Sequence, residues 1–97
     1  MADYVDDEFE WDIAKSEATR RRRGFDFFLA SRIFADRYVT LLDETYYADE
    51  PRFKCTGLVS TKFVTVIATD RGSRMRIISA RPATRNEIDD YAKEYGL

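Results

Sequence analysis

Arg74-Met75-Arg76-Ile77-Ile78-Ser79-Ala80-Arg81-Pro82-Ala83, followed by Thr84-Arg85-Asn86-Glu87, is the stretch against which the rest of the chain can be ordered. A run of isoleucines and small residues bounded by arginines reads as a core strand whose ends deliver cations to a surface, because a guanidinium must stay hydrated or find an anion. Pro82 cannot donate to a ladder and closes the strand. Thr84 and Glu87 have the spacing of a capping box, which starts a helix at a defined place. This layout suits phosphate binding. It equally fits an edge strand kept soluble by surface arginines. Arg76 and Arg81 have opposite parity along the strand, so they share a surface only if Arg81 lies past the strand end or a bulge intervenes.

Asp70-Arg71-Gly72-Ser73 is a hairpin signal, and residues 63–69 before it are apolar on both faces apart from threonines, as in a central strand. Residues 52–59 alternate, with Phe53, Cys55, Gly57 and Val59 on one face, and Ser60-Thr61 can turn. Residues 38–42 are strand formers, and 43–51 read as a polar loop. Nearer the N-terminus, Asp12 stands where an N-cap belongs, Ile13 to Arg23 are good helix formers, and Gly24 can end that helix in a left-handed cap. Arg20 to Arg23 then fall in the last turn and complement its carbonyls, and four consecutive residues point in different directions, so only one or two can serve a site. A second helix is expected over residues 25–34, apolar on more than one face. The last helix puts Ile88, Tyr91, Ala92 and Tyr95 on one stripe, a packing role for the tyrosines. The expected fold is α+β: two N-terminal helices, an antiparallel meander of three to four strands with residues 9–11 as a further candidate strand, and a C-terminal helix.

At 97 residues, with 44% hydrophobic, 14% aromatic and 35% charged residues, the chain has the composition of one folded domain with a dense aromatic core. Residues 1–8 are expected to be a flexible acidic tail and 9–97 the single domain. No apolar run reaches membrane-span length and the acidic N-terminus is unlike a signal peptide, so a cytoplasmic protein with no membrane association is expected. The single cysteine, Cys55, reads as a buried small side chain, and with no histidine a zinc site would need mostly carboxylates. Residues 1–12 hold six acids and no base, which leaves 12 acids against 16 bases, or +4, in the other 85 residues. A basic body behind an acidic leader is compatible with a polyanionic partner.

Metal motifs, Gly-rich phosphate loops and nucleophile elbows are missing, and without histidine the commonest general base is gone. What remains is Arg52, Arg76 and Arg81 on neighbouring strands, with Asp36, Glu44, Glu50 and Glu87 as carboxylates in reach. Arginine holds phosphates and stabilises charge growing on them. RNA cleavage suits that equipment, since the substrate supplies its own 2′-hydroxyl nucleophile.

Phe9-Glu10-Trp11-Asp12-x-x-Lys15, Gly24-Phe25-Asp26-Phe27 after a basic pair, Ala30, Phe34-x-Asp36, Arg52, Gly57, and Arg76-Ile77-Ile78-Ser79-Ala80-Arg81-x-Ala83-x-x-x-Glu87-x-x-x-Tyr91 together resemble the BrnT family. The resemblance implies a ribonuclease toxin of a type II toxin–antitoxin pair with a RelE/ParE-like fold; from the absent metal motifs, cleavage without metal or cofactor is expected. It implies inhibition by a BrnA-like antitoxin with a ribbon-helix-helix type DNA-binding domain, so that DNA is met only through the antitoxin. Arg76, Arg81 and Arg52 match the family's arginines and are the candidate catalytic residues, with Arg22, Arg23 and Lys15 as candidate RNA contacts. Arg23 stands where the family has histidine; arginine can grip phosphate but does not readily relay a proton. That departure leaves open a second reading, a catalytically weak toxin-derived protein that pairs with the antitoxin and contributes to operon repression.

Overall fold

The computed structural model describes residues 2–47 and 50–96, with the side chains of 41–47 and 95 outside that description. In chain order the elements are β1 (Asp3–Val5), β2 (Phe9–Asp12), α1 (Ile13–Arg23), α2 (Phe27–Ser31), a 3₁₀ turn (Arg32–Ala35), β3 (Thr40–Tyr47), β4 (Glu50–Val59), β5 (Lys62–Arg71), β6 (Arg74–Pro82) and α3 (Arg85–Tyr95). The strands make one six-stranded sheet in the order β1-β2-β6-β5-β4-β3, with β5 interior as its doubly apolar sequence requires.

The α+β class stands, while the sheet is larger than the meander of three to four strands and is mixed. β2 runs parallel to β6, pairing Phe9 with Met75 and Trp11 with Ile77. Such a contact joins the two ends of the chain, which local patterning does not report. Residues 3–5, placed by the sequence in a flexible tail, pair antiparallel with β2 as strand β1. The polar loop expected over 43–51 is mostly strand, because β3 continues to Tyr47 and β4 begins at Glu50, each satisfying the other's backbone; Ala48 and Asp49 lie outside the described residues.

Both long helices begin and end where their caps dictate. The Asp12 carboxylate accepts the Lys15 N–H and Gly24 closes α1 at φ 84°. The Thr84 hydroxyl and Glu87 carboxylate complete the reciprocal capping box of α3. The second helix starts two residues later than expected, since Asp26 caps it by accepting the Leu29 N–H at 3.0 Å. Phe25 is then free to bury its ring in the core.

One sheet face is apolar. Trp11, Cys55, Val59, Val64, Val66, Ala68, Ile77 and Ala80 pack there against Phe25, Phe27, Ala30 and Ile33 from the helical segment. Gly57 is required where the 3₁₀ turn crosses β4, because a Cβ there would lie 2.7 Å from Ile33 Cβ. On the opposite face α3 lays Tyr91 edge-on to Phe63, at 5.3 Å between ring centres. The Tyr91 hydroxyl donates to Asp36 at 2.8 Å.

Candidate functional site

The second face of the sheet carries the chemistry, and a bulge decides its composition. Ile67 pairs with Ser79 and Ala68 with Ile77, so Ile78 is an extra residue in β6. A bulge inverts the alternation beyond it. Arg76 therefore sits opposite Thr69, and Arg81 opposite Thr65, two residues of like parity on β5. Both arginines thus project from the same face, along with Ser79. From β4, Lys54 pairs with Ile67 and Thr56 with Thr65, which places them on that face, and alternation adds Arg52. Arg52 and Arg76 stand two strands apart, about 10 Å between Cα atoms at ordinary strand spacing.

Arg81, Lys54 and Arg76 are held by carboxylates. Glu87, whose side chain is 6% exposed, takes both terminal nitrogens of Arg81 at 2.7 and 2.8 Å and Lys54 Nζ at 3.2 Å. The Thr65 hydroxyl and the Thr84 N–H also donate to it, each at 2.9 Å, and Thr65 is joined to Thr56 at 2.7 Å. The Arg81 guanidinium, outweighing the burial that opposes ionisation, holds the Glu87 carboxyl far below its ordinary value. Glu87 is accordingly a fixed anion and a very weak base. Arg76 donates to Glu10 at 2.8 Å and to Asp3 at 3.0 Å, so the acidic leader reaches the arginine face. Asp36 lies elsewhere. Burial opposes its ionisation, but the N–H groups of Leu58 and Tyr38 and the Tyr91 hydroxyl outweigh this and lower its pKa. It ties the 3₁₀ turn to β4 and α3. Burial pushes the Cys55 thiol up to about 11, which withholds thiolate chemistry.

Beside this face, where β6 runs past the end of β2, lies a hollow of about 340 Å³ between α1 and the bulge. Lys15, Thr19 and Arg22 line one side at helical spacing, Ile78 and Ser79 the other, over Phe27. Glu17 takes up Arg20 and Arg21 on α1. Lys15 and Arg22 form no ion pair with any described residue. Arg23 is exposed and is not among the residues lining the hollow. Ser79 belongs to both surfaces, so hollow and arginine face meet at the bulge.

Of the residues singled out from sequence, Arg52, Arg76 and Arg81 share a face, Lys15 and Arg22 share the adjoining hollow, and Arg23 stands apart; Glu44 lies among the side chains outside the description. Lys54, Thr65 and Ser79 were not singled out. Lys54 was legible, since it alternates with the apolar positions of β4, but Ser79 depends on the bulge. Among the described residues no three His, Cys, Asp or Glu side chains gather as a metal site, and no helix is long and apolar enough to cross a membrane.

The protein is thus a small α+β domain with an ion-paired arginine face beside a basic hollow at its first helix. The chain belongs to the BrnT family, described as the ribonuclease toxin of type II toxin-antitoxin systems, whose family model matches residues 11–87. No curated protein sequence matches the chain.

Proposed function

We propose that this protein is a metal-independent endoribonuclease toxin, neutralised by a BrnA-like antitoxin and acting on RNA in the cytoplasm. The observation that carries the reading is the junction at Ser79. There a hollow lined by two cations and no carboxylate shares a residue with the face that carries Arg52, Arg76 and Arg81. Lys15 and Arg22 grip the RNA backbone, with Arg23 at most a peripheral contact. The arginine face stabilises charge growing on the scissile phosphate. Arg81, fixed by Glu87 through both terminal nitrogens, still has its side chain 35% exposed and keeps donors for an anion. The helix–sheet–helix order is compatible with the RelE/ParE-like fold that the resemblance implies.

The test is incubation of purified protein with RNA in EDTA. The expected products carry cyclic 2′,3′-phosphates, as attack by the 2′-hydroxyl requires, and intact RNA at micromolar enzyme overturns the proposal. Arg81→Lys keeps a cation on Glu87 but loses the planar fork, so cleavage should fall about tenfold or more with little loss of stability. Arg81→Ala is the poorer probe, since it strips Glu87 of its main partner.

A second reading is favoured by one specific observation: Arg76 and Arg81 are both occupied by carboxylates. A catalytically weak protein that pairs with an antitoxin and aids repression would need no more. Growth arrest on expression excludes it. On either reading the antitoxin segment that covers the basic hollow carries Asp or Glu, and association should weaken markedly with salt.

A further inference from the structure

The contact between Asp3 and Arg76 has features of a competitor more than of a structural strut. It joins positions 73 residues apart in sequence, and it brings to the arginine face a strand that lies outside the stretch matched to the family. Strand β1 has only three residues and forms the sheet edge, with Asp3 and Val5 exposed. It pairs Asp3 directly with Asp12, a like-charged neighbour, so its register carries an electrostatic penalty. What anchors it is Tyr4, whose ring stacks on Trp11 at 4.4 Å. Asp3 itself touches Arg76 through both carboxylate oxygens, at 3.0 and 3.4 Å, the two-oxygen presentation that a phosphate also offers a guanidinium. Glu10 already supplies Arg76 with one carboxylate at 2.8 Å, so the second is not needed to satisfy the charge.

We propose that the acidic edge strand β1 is an internal phosphate mimic: Asp3 occupies Arg76 until RNA displaces it, so the leader restrains the nuclease face. This rests on the ribonuclease reading and adds a regulatory device to it. Displacement is cheap because a partly exposed ion pair is weak and β1 is a short edge. Paired guanidiniums on the candidate site are then compatible with function, since one of the pairs is made to be exchanged.

The experiment measures binding of a labelled single-stranded 2′-O-methyl RNA, which lacks the attacking hydroxyl and is not consumed, to the 97-residue chain. Asp3→Asn should tighten binding about three- to fivefold at low salt, the scale of one partly exposed ion pair. Asp7→Asn makes the same charge change in the leader without contact to Arg76 and should shift affinity less than twofold, as should Asp3→Asn in an Arg76→Ala background. Unchanged affinity in Asp3→Asn overturns the inference. So does equal tightening by Asp7→Asn, or tightening that persists without Arg76, since either reduces the effect to bulk charge. If every variant, wild type included, fails to bind RNA, the ribonuclease reading falls with it; binding that is merely insensitive to Asp3 overturns this inference alone.

Discussion

Glu87 joins the second half of the fold through one carboxylate. It caps α3, fixes Arg81 on β6, meets Lys54 on β4 and accepts from Thr65 on β5. Removing it leaves two cations facing each other without an anion. Glu87→Ala should cost about 3 kcal/mol, the low end for breaking a buried pair because Arg81 retains some hydration; a urea melt measures this. The sign with pH follows from the lowered pKa. The stabilisation is full above the ordinary carboxyl value of 4.5 and is lost as pH falls below it. Wild type should therefore lose melting temperature more steeply than Glu87→Gln between about pH 5 and about pH 3. Ser60 is a second residue with a readable cost. It opens the two-residue hairpin between β4 and β5 at φ 56°, where an L side chain is strained. Ser60→Gly should stabilise by about 0.5 kcal/mol, some 3 °C in melting temperature for a domain of this size. The Thr84–Glu87 pair was legible in sequence as a cap, since a capping box is local. Its second role with Lys54 and Thr65 was not, since those partners come from other strands.

At the level of elements, β6 shows how one inserted residue changes a surface. Sequence parity sets Arg76 and Arg81 on opposite faces, and the extra Ile78 returns them to one. Nothing in Ile77-Ile78-Ser79 marks the bulge, because a bulge is a property of pairing with β5 and not of the strand alone. The crossing of the 3₁₀ turn over β4 is the other tight junction. Gly57→Ala drives a methyl into Ile33 and its carbonyl, both part of the backbone-supported core. The expected loss is about 2 kcal/mol, read as a lowered denaturant midpoint with unchanged slope. Helices α1 and α3 were predictable because their caps are local, while the shift of α2 to Phe27 turned on Asp26 taking the capping role.

Across the whole molecule, charge is sorted by position more than by amount. The net charge is −2, yet the leader's Asp3 and Glu10 lie against Arg76 while Lys15 and Arg22 remain open on the far side of the bulge. Binding of single-stranded RNA should therefore weaken linearly on a log–log salt plot. Lys15→Ala with Arg22→Ala should flatten that slope by about 1.4, two contacts at roughly 0.7 each. Arg21→Ala, on the same helix but paired with Glu17, should leave the slope nearly unchanged. An equal change from Arg21→Ala would show that the hollow has no special part in binding.

The sequence by itself determined the α+β class, the caps of α1 and α3, the interior place of β5 and the family, because these rest on local periodicity, short-range hydrogen bonding and contiguous motifs. Tertiary structure alone decided the parallel pairing of β2 with β6, the strand made by the acidic leader, and the gathering of Arg52, Arg76 and Arg81 on one face. Each of those depends on which backbone lies beside which, and contacts between residues far apart in the chain leave no imprint on the residues next to them.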